Sequence, residues 1–337
     1  MARPSTLVPR FAAAVLFSLS VHGQPVPLRI GAIEFFGAAG RDTAALRATL
    51  PVREGAAVDP RDMARLVDEI RAAAHAADVA VVCCGRQGTA ESWTLYIGWP
   101  DGPGRRFRYD PPPQGTARLP RDGVKLAQES WAVWQQAAEA GVSEEIKPSS
   151  DLDERLRATE TAIRHYTMRY GAELRHILHT SGQPQHRAIA AHFLGYGRRS
   201  RAQVHVLVDA FHDSDEGVRD SAARALLVLL RTDMRVAAWM PAAHLVAMLH
   251  SGHWADRQRA ALLLASLSAE ENPKLLAEIR DHAWPALLEM AQWRSAEQAA
   301  PARQLLGRAG GLDEPRLQAL LRGGDVEALL EAVATIR

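Results

Sequence analysis

The sequence predicts a multidomain chain: a small α/β unit of strand-helix-helix-strand-strand order, followed by an all-α array of stacked helical hairpins. Three observations carry this. The stretch Leu207 to Leu230 reads as two amphipathic helices around a tight polar turn. A pattern of Arg, two Ala and Leu recurs at Arg187, Ala190, Ala191 and Leu194, at Arg219, Ala222, Ala223 and Leu226, and at Arg257, Ala260, Ala261 and Leu264. Before all this, the first hundred residues alternate short apolar runs with two helical stretches.

In the central hairpin the first helix is expected from about Gln203 to His212, with Val204, Leu207, Val208 and Phe211 at three- and four-residue spacing. Asp213, Ser214 and Asp215 form the turn and can accept from the free N–H groups of the next helix. The second helix starts near Glu216 and shows Val218, Ala222, Leu226 and Leu229, with Ala223, Leu227 and Leu230 beside them. A hairpin that is apolar on two sides cannot bury itself and needs a similar one on each flank. The segment DSDEGVRDSAARAL, through Asp213, Asp215, Val218, Arg219, Ala222, Ala223, Ala225 and Leu226, resembles a HEAT repeat. The resemblance implies an armadillo-like α-solenoid over 151–337. There Asp213, Asp215 and Arg219 would have a structural task, capping the helix and forming a polar ladder between repeats.

The other helices follow the same periodicity. Asp151 caps a long helix to about His179, which Gly171 could break, and Arg187 to Tyr196 is a second repeat helix. Further pairs are expected from Met240 to Leu267, then at Asp281 to Trp293 with Ala296 to Ala309. The last, short pair is Pro315 to Leu321 with Val326 to Ile336, and Asp313 and Asp325 cap it.

In the N-terminal part, Leu28 to Phe36, Asp78 to Cys84 and Ser92 to Trp99 read as strands. Helices Thr43 to Leu50 and Met63 to Ala76 lie between the first two, capped by Asp42 and by Asp59 or Asp62, and PVREGAAV reads as a turn. This order, with IEFFG and the REG turn, resembles a POTRA domain over 28–100, which implies binding through an exposed sheet edge rather than catalysis. Residues 101–120, with DGPG and DPPPQG, read as a stiff extended linker. A connecting helix and loop fill 121–150, with Val124, Leu126, Ala127, Trp131, Trp134 and Ala138 as packing residues.

Residues 1–23 have the pattern of an export signal peptide: Arg3 and Arg10, then the apolar FAAAVLFSLSV, then small residues at Val21 and Gly23. The run is shorter than an ordinary spanning helix. Export places the chain in the periplasm or outside the cell. The two cysteines, Cys83 and Cys84, are neighbours, so one thiol would point inward and one outward unless they bridge each other. Forty basic and 39 acidic residues leave a net charge of +1, which gives no general pull toward nucleic acid or an anionic membrane.

No P-loop, GxGxxG, HExxH, GxSxG or CxxC occurs. The histidine pairs His176/His179 and His250/His253 have helical spacing but no carboxylate in the same turn, so they read as surface or half-buried residues. The sequence therefore predicts no catalytic residue, no metal and no cofactor. HEAT-like folds include bilin lyases and DNA glycosylases. The neutral charge and the leader argue against a glycosylase, and nothing singles out a pigment pocket. The expected role is a non-enzymatic scaffold for a partner protein or peptide, with a structural part in an envelope assembly as the alternative. The binding positions are Asp220, Arg224, Gln258, Arg259 and Arg303 on the second helices. Trp254 joins them as the one tryptophan among Trp239, Trp254, Trp284 and Trp293 expected to act as an exposed anchor.

Overall fold

A computed structural model describes residues 27–85, 92–101, 107–140, 150–270 and 272–334. The export-signal expectation for residues 1–23 lies outside the described residues, as does the side chain of Cys84. Cys83 is not a free thiol.

The N-terminal unit holds β1 (Leu28–Phe36), α1 (Thr43–Thr49), β2 (Ala57–Val58), α2 (Met63–Ala74), β3 (Asp78–Gly85) and β4 (Ser92–Gly98). Its sheet runs β2-β1-β4-β3, with β1 parallel to β4 and β3 antiparallel to β4. The segment expected to be only a turn contains β2, whose Val58 pairs with Leu28. Asp42 caps α1 through Ala44 and Ala45, and Asp59 caps a single 3₁₀ turn just before α2.

Alternation along β4 sends its side chains to two different cores. Leu95 and Ile97 join Ile30, Ile33, Met63 and Ile70 under the helices of the unit. Tyr96 and, from β1, Phe36 point the other way, into the large core of the helical region. With both faces covered, β4 is buried without interruption from Thr94 to Gly98.

The helical region comprises α3 (Arg121–Glu139), α4 (Ser150–Thr180), α5 (Pro184–Leu194), α6 (Arg201–Asp209), α7 (Glu216–Thr232), α8 (Ala242–Met248) and α9 (Trp254–Leu267). It continues with α10 (Pro273–His282), α11 (Trp284–Ala291), α12 (Ala296–Ala309), α13 (Glu314–Gly323) and α14 (Val326–Ala334). The backbone of α4 leaves helical geometry at Tyr170, beside the glycine expected to break it. The helix expected from Asp281 to Trp293 is α11, and a further helix, α10, precedes it, started by Asn272 accepting from Lys274 and Leu275.

Helices α5, α7, α9 and α12 pack in a row. Their fully buried Ala190, Ala191, Ala222, Ala223, Ala260, Ala261, Ala299 and Ala302 let neighbours approach closely. Trp131, expected to pack, is 63% exposed, and α3 rests on α4 through Ala137 and Trp134 instead.

Residues 107–120 are extended, but they are not a free linker. The strand-like segment crosses the turns of successive helix pairs in reverse order. The Tyr109 hydroxyl lies 2.7 Å from Ser251 Oγ, Asp110 N–H donates to His212 O (2.6 Å), Gly182 N–H donates to Gly115 O (2.8 Å), and Leu119 N–H donates to His186 Nδ1 (2.7 Å). Its backbone groups thus find partners on the helical region, which holds it as a strap.

Candidate interaction face and the buried arginine ladder

The recurring arginines occupy equivalent places in three helices. Arg187, Arg219 and Arg257 are each 1% exposed or less. Each donates to a carbonyl in the turn before its own helix: Ser181 (2.8 Å), Asp213 (2.9 Å) and Ser251 (2.7 Å). Each also reaches a carboxylate farther along the fold. Arg187 meets Asp213 through two bonds of 2.7 Å, and Arg219 Nε meets Asp256 at 2.8 Å. Arg257 meets Asp101 at 2.7 Å and Glu289 at 3.4 Å. Planar guanidinium forks suit this work, because one group satisfies two directions at once. Asp215 caps α7 by accepting from Val218 N–H (3.1 Å), while Asp213 accepts from Asp215 N–H and faces Arg187.

The last rung welds the sheet unit to the helices. Glu289 accepts from Gly37 N–H (2.8 Å) and Ala38 N–H (3.2 Å), and Arg257 reaches Trp99 O (3.3 Å). Gly37 has φ +63°, and a Cβ there would lie 1.9 Å from Trp99 O, so only glycine fits. Nearby, Arg294 N–H and Nε both meet Glu34 (3.0 Å each), and its Nη1 meets Glu54 (3.0 Å). The hydrogen bond from Arg294, helped by Ile33 N–H and the two arginine charges, holds the Glu54 carboxyl down at about 2 against the opposing effect of burial.

These contacts decide where the expected binding residues lie. Trp254 is not an open anchor: its ring packs on Tyr96 with centroids 5.4 Å apart, and its backbone N–H donates to Asp78 (2.9 Å). Gln258 does not face solvent but is 5% exposed. Arg303 is committed to Ala291 O (2.8 Å) and Trp293 O (3.2 Å). Trp284 and Trp293 are buried, the latter edge-on to Tyr96 and Phe36. His250, expected at or near the surface, is buried between Asp101 (2.6 Å) and His282 O (2.8 Å).

Three expected residues do come together. Asp220 on α7 accepts from Arg224 Nε (2.8 Å) one turn along and from Arg259 Nε (2.6 Å) on α9. Burial pushes the Asp220 carboxyl up, but Arg259 and Arg224 outweigh it and hold it at about 2. Arg224 remains 54% exposed, whereas Arg259 is 19% exposed. On α5, burial and then the Arg224 charge lower His192 to about 4, so its imidazole is neutral near pH 7. Two guanidinium groups therefore share one carboxylate, leaving a local excess of positive charge fixed in place. Sequence reasoning missed the strap residue Tyr109 and the rung partners Asp101 and Glu289, which no local spacing relates to the arginines. Compared with known protein families, characterised proteins and solved structures, the chain matches none.

Proposed function

We propose that the chain is an exported, non-enzymatic interaction scaffold: a POTRA-like sheet unit fixed to a HEAT-like solenoid that captures an acidic segment of a partner protein on the Arg224 face. The carrying observation is that Asp220 holds Arg224 and Arg259, from successive helices, in fixed positions with one charge uncompensated. A preorganised guanidinium costs little side-chain entropy on binding and suits bidentate recognition of carboxylates. Two features support the architectural part. The first and last strands pair in parallel around two intervening helices, and equivalent arginines recur along a row of second helices.

The test is capture of partner protein from the producing cells by tagged mature chain and by Arg224→Glu. The substitution is expected to abolish capture with the helical circular dichroism unchanged. Capture equal to the parent would remove this face from the proposal.

A second reading, part of an envelope assembly, is favoured by the edge of β3, which among the described residues pairs only with β4. A strand of another protein could add there. In that case the chain should co-fractionate with membranes although none of its described helices is long and apolar enough to cross one; a purely soluble distribution would count against it.

A further inference from the structure

We infer that Asp78, Glu216 and His253 form a site for one divalent transition-metal ion of the zinc type, clamping the sheet unit to the helices. The three residues come from three elements. Asp78 opens β3, Glu216 lies in the first turn of α7, and His253 is the residue before α9. One ligand atom from each lies within 4.8 Å of the other two. The Nδ1 of His253 is shielded from solvent without a hydrogen-bond partner, 3.9 Å from Glu216 Oε2. The ring is held edge-on by Tyr109 of the strap, with centroids 5.7 Å apart.

The carboxylates of this place differ from those in the rest of the junction. Asp213, Asp256, Asp101, Glu289 and Asp220 each have an arginine at ion-pair distance. Among the described residues, Asp78 and Glu216 have none. Asp78 is 8% exposed, and its carboxylate accepts from the Trp254 backbone N–H. Asp78 is poorly hydrated and Glu216 partly so, and Arg71 and Arg219, the arginines that act on them, stay beyond ion-pair distance, which leaves the facing carboxylates short of positive charge. One imidazole nitrogen, two carboxylate oxygens and a water make a familiar zinc set, with bonds of about 2.0–2.2 Å. Imidazole disfavours magnesium or calcium as the occupant. A His pair four residues apart is the sequence signal for such a site. Here the ligands are far apart in the chain, and only folding collects them.

The experiment uses the full mature chain, stripped with chelator and dialysed, then titrated with Zn²⁺ by calorimetry and against a chromogenic chelator. One Zn²⁺ per chain is expected, with a rise in Tm of several degrees, and Co²⁺ should give visible d–d absorption. His253→Gln and Asp78→Asn should each weaken binding at least tenfold, whereas a His176→Gln, His179→Gln double variant should leave it unchanged. If His253→Gln does not fold, Glu216→Gln carries the same test. No stoichiometric binding, or binding retained in these site variants, overturns the proposal. So does a Glu216→Gln protein that is more stable than the metal-free parent while the parent shows no Zn²⁺ response, since the site would then be a pair of carboxyls sharing a proton.

Discussion

Arg187 and Asp213 face each other through two parallel hydrogen bonds of 2.7 Å, with both side chains almost wholly buried. Neither residue can be removed alone without leaving the other charged and dry. Asp213→Ala is expected to destabilise by about 3–5 kcal/mol. Replacing both, as Arg187→Met with Asp213→Leu, should cost far less than the sum of the single changes. Urea unfolding of the four proteins checks this through the coupling in the cycle. Additive effects would show that the pair is not a unit.

The strap makes its own contribution through Tyr109. Its hydroxyl donates to Asp256 (2.8 Å), and Arg219 sits over its ring at 4.2 Å. Tyr109→Phe keeps the ring and removes the bond to a buried carboxylate. A loss of about 1–3 kcal/mol is expected, together with faster hydrogen exchange at the Asp110 amide that bonds His212 O. Unchanged exchange there would mean that the strap is held without this hydroxyl.

Acid should loosen the sheet unit. The Glu54 carboxyl ionises at about 2 in the folded chain, against 4.5 for the ordinary group. A depressed folded value means that the unfolded chain binds more protons between these limits. The stabilisation is therefore present above about pH 4.5 and is lost as pH falls toward 2. Glu54 is largely solvated, so screening keeps the effect near or below about 1 kcal/mol. Thermal melts from pH 5 to pH 2.5 should show a steeper fall for the parent than for Glu54→Gln. Parallel curves would remove Arg294 and Glu54 from the docking contacts.

Much of this was legible in the chain. Helix positions followed from local spacing and caps, as with Asp215 before α7 and Asp313 before α13, because both signals act within one or two turns. A small α/β part beside many helices was likewise visible in the short apolar runs, whereas β2 and the parallel pairing of β1 with β4 were not. What failed was long-range. Gln258 sits at the place in α9 that Asp220 occupies in α7, yet Gln258 is buried and Asp220 keeps 17% of its side chain exposed. Trp131 has the spacing of a packing residue and yet is 63% exposed. The prolines of 101–120 predict an extended path, but such a path can be free or hydrogen-bonded, and composition does not tell that 107–120 bonds to the helical region. The candidate face shows the same division. Asp220 and Arg224 are neighbours on one helix turn and readable as such, while their link to Arg259 depends on how α7 meets α9.

The most direct measurement is photo-cross-linking in the producing cells, with the reactive residue placed at Arg224, at Val81 on β3, or at the exposed Arg65 as control. A discrete adduct with one partner protein from position 224, absent from position 65, is the expected result. An adduct confined to position 81 would move recognition to the sheet edge, and no adduct from 224 would contradict the Arg224 face as the capture site.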